Sequence, residues 1–311
     1  MLVTGGAGFL GSVITKKLLD DGHKVVVVDN LMYGSYEHID KRAVFYPADV
    51  REVDAWSTLE RFDFDIVYHF ASPSSITLFK QNFSDCMNNT IQGFVSAVNF
   101  CSKKNAKLVY PSTGSLYSGV LDDQKEDIEL NYDVLNEYAL SKNALEKIAY
   151  AYRDNVDITA FRIFATYGEN EFHKGDFASV VYMFAKDIIN DKSPVIWGDG
   201  TQTRDFIYQD DVGKYVVELS YNDPVTVNLG SGVSVSFNDV IKTINEILGK
   251  NIKPIYVDKP TNYLESTKAD MSFFTELYYN NKAEYKFTPF YDGVEKMIKN
   301  IIAREWIAKN E

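Results

Sequence analysis

Met1-Leu2-Val3-Thr4-Gly5-Gly6-Ala7-Gly8-Phe9-Leu10-Gly11-Ser12 is the stretch that decides the fold. Residues 1–3 are apolar and, with the β-branched Thr4, read as a strand. Gly5, Gly8 and Gly11 follow with the spacing G-x-x-G-x-x-G, and residues 12–21 continue in a helical pattern. A strand, a glycine turn and a helix in that order form a phosphate cradle. Glycine lets the backbone approach a pyrophosphate, and the N–H groups at a helix start hold it. Asp29 ends the next apolar run, 18 residues after Gly11. A carboxylate there accepts both hydroxyls of an adenosine ribose and repels a 2′-phosphate, which points to NAD rather than NADP. Asp49 and Val50, after the third apolar run, are placed to meet the adenine edge.

Outward from the loop, apolar runs alternate with helical patterns. Strands are expected at residues 1–4, 24–29, 43–46, 65–70, 107–111 and 157–164, with helices at 12–21, 85–104 and 137–153. Such alternation predicts an α/β fold, a Rossmann-type doubly wound parallel sheet with helices on both faces. Val25–Val28 is apolar without a break, as a strand buried on both sides should be. After Phe164 the rhythm changes. Polar and glycine clusters appear at 168–176 and 198–203, helices are expected at 177–190, 210–221, 237–248 and 291–307, and residues 225–229 read as one more buried strand. The reading is an NAD-binding domain at 1–165, to which the chain returns near 205–232, and a smaller mixed substrate-binding lobe at 166–311.

Composition narrows the function. The chain has 311 residues, 45% hydrophobic and 24% charged, with net charge -12 and a pI near 4.9. An acidic chain of this kind is a poor nucleic-acid binder. Two cysteines, Cys86 and Cys101, and 4 histidines without ligand spacing predict neither a disulfide framework nor a metal. No apolar run is long enough for a membrane helix and the start lacks the features of a signal peptide, so a cytoplasmic location is expected.

Tyr138-Ala139-Leu140-Ser141-Lys142 puts a phenol and an ammonium four positions apart, on one face of a helix. Bringing the phenol from its ordinary value near 10 to about 7 takes roughly 4 kcal/mol, which Lys142 and a positive nicotinamide ring can share. The product is a general base for a sugar hydroxyl. Tyr182/Lys186 and Tyr278/Lys282 have the same spacing. Context selects the first pair, because Tyr110-Pro111-Ser112-Thr113-Gly114-Ser115-Leu116-Tyr117 precedes it. That segment brings its hydroxyls out at a strand's carboxyl end, where open α/β sheets bind ligands.

With these residues the chain resembles the extended short-chain dehydrogenase/reductase family, specifically its NAD-dependent nucleotide-sugar epimerases and dehydratases. The resemblance runs through Gly5–Gly11, Asp29, His69-Phe70-Ala71-Ser72, Ser112-Thr113, Tyr138/Lys142, residues 162–168 and Gly198-Asp199-Gly200-Thr201-Gln202-Thr203-Arg204-Asp205-Phe206. It implies that Thr113, Tyr138 and Lys142 are catalytic, with Lys142 also on the nicotinamide ribose. It implies cofactor contacts at Phe9, Leu10, Asn30, Phe70, Ala71, Ser72 and Asn89, and substrate contacts at Ser112, Thr113, Lys174 and Arg204, the arginine on a diphosphate. Relatives that dehydrate or decarboxylate carry carboxylates directly after the threonine; here stand Gly114 and Ser115. The implied activity is therefore epimerisation of the UDP-glucose/UDP-galactose 4-epimerase type. Two features differ. Ala165 replaces an asparagine of the family, and Glu171-Phe172-His173-Lys174-Gly175 and Tyr263…Thr267-Lys268-Ala269-Asp270 resemble ADP-heptose 6-epimerase, whose matching lysine is a candidate second acid/base. An oxidoreductase that releases reduced cofactor would use the same triad. The resemblance further implies a homodimer built on the helices at 85–104 and 137–153.

Overall fold

The computed structural model describes residues 1–120, 124–259, 263–279 and 284–310. In chain order the elements are β1 (Leu2–Thr4), α1 (Phe9–Asp20), β2 (Val26–Asp29), β3 (Val44–Pro47), α2 (Val53–Leu59), β4 (Ile66–His69), α3 (Ile76–Gln81), α4 (Phe83–Lys104), β5 (Lys107–Thr113), α5 (Glu137–Tyr152) and β6 (Ile158–Ile163). They continue with β7 (Ala165–Tyr167), α6 (Val180–Ile189), β8 (Val195–Trp197), β9 (Thr203–Tyr208), α7 (Gln209–Leu219), β10 (Thr226–Leu229), β11 (Ser234–Ser236), α8 (Phe237–Leu248), β12 (Ile255–Val257), α9 (Ser272–Tyr279) and α10 (Phe290–Asn310).

Seven strands form one sheet in the order β10-β6-β5-β4-β1-β2-β3. β1 pairs in parallel with β2 on one side and β4 on the other, so the winding reverses direction there. The carboxyl ends of β1 and β4 thus flank the crevice in which such sheets bind ligands. Every residue of β1, β2, β4 and β6 is buried. This explains their largely apolar composition: helices cover both faces. The expected Rossmann-type doubly wound sheet is the fold observed. Leu2, Val26, Val28, Val67, Phe94, Leu108 and Tyr110 belong to one core cluster. Each such side chain contributes roughly 1.5–3 kcal/mol on burial.

Two compact units divide the chain. The first is Met1–Leu116, Leu135–Ile163 and Val212–Val227; the second is Tyr117–Val134, Phe164–Asp211 and Asn228–Glu311. The second holds a three-stranded sheet ordered β11-β9-β7 and a two-stranded sheet of β12 and β8. Its core gathers Val181, Phe184, Ile188, Phe206, Val240, Ile244 and Met297. Among the described residues, no helix is long and apolar enough to cross a membrane.

Candidate active site

The carboxyl end of β5 and the first turns of α5 meet in the first unit. Asn136 caps α5, its side chain accepting from Ala139 N–H. This fixes where the helix begins and hence where Tyr138 and Lys142 stand. Thr113, the last residue of β5, is 4% exposed and stands close enough to the Tyr138 hydroxyl to oppose the rise of its pKa. Its oxygen also accepts from Ser115 N–H at 3.1 Å. Lys142 is 1% exposed, and its Nζ lies 5.9 Å from the Tyr138 ring centroid and 3.2 Å from Ser72 Oγ. Burial pushes the lysine down to about 7. Burial also raises the Tyr138 phenol above its ordinary value, with Thr113 opposing. The expected lowering by Lys142 is therefore not realised by the protein alone: the lysine, dehydrated in the same place, has lost much of its own preference for charge. His69 is held near 3 by burial first and by Lys142 second, so it stays neutral.

The glycine loop has little tolerance for side chains. Gly5 has φ +72°, and a Cβ at Gly11 would fall 2.0 Å from Gly5 O. Gly8 caps α1 without a side-chain hydrogen bond, and the first turn, which contains Phe9 and Leu10, carries no acid. The positive end of the helix dipole at that turn therefore meets no protein anion there. Asp29 is 7% exposed and accepts from Ala7 N–H at 3.0 Å and Leu31 N–H at 2.8 Å. Burial raises its carboxyl in spite of them. Phe70 and Ala71 follow β4 as half-buried residues, their backbone against Gly5, and Asn89 is buried on α4.

Other expected residues have surroundings that the sequence did not show. The Asp49 carboxylate is gripped by Arg51, whose Nη1 also reaches Asp85, and by Asn30 Nδ2 at 2.9 Å. Arg51 first, and Asn30 with it, hold Asp49 down to about 2. Val50 beside it is buried. Ser112, expected against substrate, is 2% exposed and gives its proton to Glu146 at 2.5 Å. Glu146 and its partner Arg162 were not among the expected site residues. The recurrence of an acid four positions after Lys142 was the available signal. Tyr182 is packed in the second unit's core, Tyr278 is buried on α9, and Lys282 lies outside the described residues.

A family model, "NAD dependent epimerase/dehydratase family", matches residues 1–230. The chain belongs to the NAD-dependent epimerase/dehydratase family. A relative named putative UDP-glucose 4-epimerase, from Methanocaldococcus jannaschii, is 31% identical over 87% of this chain and 91% of its own. Among solved structures, the UDP-N-acetylglucosamine 4-epimerase of Methanobrevibacter ruminantium has a TM-score of 0.88 at 26% identity, covering 97% of this chain and 98% of its own. The UDP-glucuronic acid 4-epimerase of Bacillus cereus, in complex with UDP-glucuronic acid and NAD, has a TM-score of 0.84 at 26% identity, covering 97% and 99%.

NAD is the cofactor of this NAD-dependent epimerase/dehydratase family member, and the residues fit it. The loop backbone is a cradle that any Cβ at Gly11 would fill. Lys142 has three donors and one hydrogen-bond partner among the described residues, which leaves protons for ribose hydroxyls. Asp29 accepts one N–H on each oxygen, and an ionised carboxylate has further lone pairs for a ribose.

In the second unit, Arg204 donates to Thr203 O and lies 5.4 Å from the Phe237 ring and 5.5 Å from the Tyr263 ring. Burial lowers its pKa, with Tyr263 and Glu265 opposing. Lys174 pairs with the fully buried Glu171 at 3.2 Å. That carboxylate also accepts from Ser179 N–H and Ser179 Oγ, both at 2.6 Å.

Proposed function

We propose that the chain is a nucleotide-sugar 4-epimerase of the UDP-glucose/UDP-galactose type. One juxtaposition carries the reading: the Thr113 hydroxyl beside that of Tyr138, with a buried lysine one turn along the same helix. Thr113 gives one lone pair to Ser115 N–H, so it can donate to Tyr138 and favour the phenolate. Tyr138 then takes the proton of the sugar's C4 hydroxyl, and Thr113 holds that oxygen. NAD, when bound, supplies the hydride acceptor at C4, the return of the hydride to the opposite face, and the positive charge that brings the phenol toward neutral pH. Lys142 holds the nicotinamide ribose through its unused donors. Gly114 and Ser115 offer no carboxylate to remove a proton at C5, which favours epimerisation over dehydration. Arg204, flanked by two rings, suits a diphosphate, because its planar fork matches phosphate oxygens. Lys174 is proposed for the sugar end. A homodimer is proposed through α4 and α5, where Phe83, Leu140 and Tyr150 stand exposed; sedimentation as a monomer would refute it.

The test is incubation with UDP-glucose, UDP-galactose, UDP-N-acetylglucosamine, UDP-glucuronate and ADP-heptose, read by NMR without added reductant. A new C4 epimer, with no accumulation of reduced nicotinamide, is expected. Steady release of reduced cofactor would make the chain an oxidoreductase, and inversion at C6 of ADP-heptose would transfer it to the heptose enzymes. Tyr138→Phe should lower kcat by about 10²–10⁴-fold, the usual contribution of a general base, and still retain NAD.

A further inference from the structure

Behind the proposed base lies an acid that the reaction scheme does not use. Glu146 follows Lys142 by four positions and Tyr138 by eight, so the three lie along one face of α5. Its carboxylate accepts three hydrogen bonds: from Ser112 Oγ at 2.5 Å, Arg162 Nε at 2.9 Å and Arg162 Nη2 at 2.8 Å. The Arg162 and Glu146 side chains are 7% and 13% exposed. Ser112 on β5 and Arg162 on β6 are register partners, and Thr113 is the next residue. One carboxylate thus ties the helix that carries Tyr138 and Lys142 to two strands, one residue from the hydroxyl that Tyr138 must meet.

Stability does not account for such a group. A buried ion pair is often matched or bettered by apolar side chains of similar volume, because desolvation consumes the Coulombic gain. What apolar packing lacks is direction. A bidentate guanidinium–carboxylate fork with a third donor fixes rotation and translation together, whereas packed methylenes let a helix settle a few tenths of an ångström away. We propose that Glu146 is a positioning residue, which sets α5 against β5 so that the Tyr138 hydroxyl stays beside Thr113. The inference rests on reading Tyr138 as the base.

The deciding experiment titrates Tyr138 in the NAD-loaded protein. Its near-ultraviolet tyrosinate absorbance is taken as the difference between each protein and the same protein carrying Tyr138→Phe. The groups facing the phenol are Thr113 from β5, the Phe79 ring from α3 and Lys142 from α5 itself. None is altered by the two variants. Ser112→Ala cuts the tie to β5 without changing any charge, and Glu146→Leu/Arg162→Met removes both charges together. In each the Tyr138 midpoint should rise by about one pH unit, a tenfold loss of phenolate at a given pH, with NAD retained. A midpoint equal to the parent's in a folded variant overturns the proposal, and a change in melting temperature alone would mean a purely structural pair. If the double variant fails to fold, Ser112→Ala decides. Full activity of Tyr138→Phe on its UDP-sugar would instead remove the base reading, and the clamp with it, through a separate readout.

Discussion

Lys142 is 1% exposed, and Ser72 Oγ at 3.2 Å is its one hydrogen-bond partner among the described residues. Its folded pKa is depressed from 10.5 to about 7, so between these values the unfolded chain binds the extra proton. Stability of the NAD-free protein therefore rises with pH across that window, and below it the charged lysine carries a penalty on the order of 5 kcal/mol. Lys142→Met removes the penalty. The variant should melt at a higher temperature than the parent at pH 6 without NAD, and the upward slope of stability between pH 7 and 10 should flatten, while NAD affinity and turnover fall. Chemical denaturation at several pH values checks this. A variant no more stable than its parent at pH 6 would mean that the ammonium is solvated in a way the geometry does not suggest. The same desolvation keeps the Tyr138 phenol high, so on the proposed reading the bound cofactor must help to make it a base.

At the scale of elements, most strands of the central sheet were legible because they are buried on both faces and so are written as largely apolar runs; the edge strand β3, exposed or half-buried along its length, was legible only from its β-branched and aromatic residues. Val26–Asp29 and Thr226–Leu229 lie within the segments expected for them. The strands of the second unit were not legible. β8, β11 and β12 have three residues each, too few to reveal alternation, and every residue of β12 is exposed. α2 and α3, with 7 and 6 residues, complete too few turns to establish a period. The glycine loop and the Tyr138/Lys142 pair were legible because their geometry is local. Glu146 with Arg162 was not, since helix and strand meet only in three dimensions. The β1–loop–α1 element yields a sharp expectation. A Cβ at Gly11 would stand 2.0 Å from Gly5 O and 3.0 Å from Gly6 Cα, so backbone rather than a side-chain tip must give way. Gly11→Ala should widen the turn, weaken NAD by at least tenfold, about 1.4 kcal/mol, and lower the melting temperature. Calorimetric titration with NAD checks it; unchanged affinity would show that the pyrophosphate does not use this turn.

For the whole molecule, the proposed ligand residues divide by unit. Gly5, Gly8, Gly11, Asp29, Ser72, Asn89, Thr113, Tyr138 and Lys142 fall in the first, whereas Lys174 and Arg204 fall in the second. The net charge of -12 offers no general attraction for either anionic ligand, so each must be held by local groups, which on the proposed reading are the loop N–H donors and Lys142 for NAD and Arg204 for a diphosphate. A ligand that binds only the folded form stabilises what it touches by about 2.7 kcal/mol at a hundred times its Kd. Local opening reports where that stabilisation falls. Hydrogen exchange should therefore separate the two ligands. NAD alone should slow amides of β1, β2, β4 and the first turns of α5, with β9 and α8 little changed. UDP alone, a nucleotide diphosphate without the sugar, should slow amides around Arg204 on β9. Protection by UDP confined to the first unit would remove Arg204 from the substrate set, and protection by NAD confined to the second would contradict the assignment of the glycine loop.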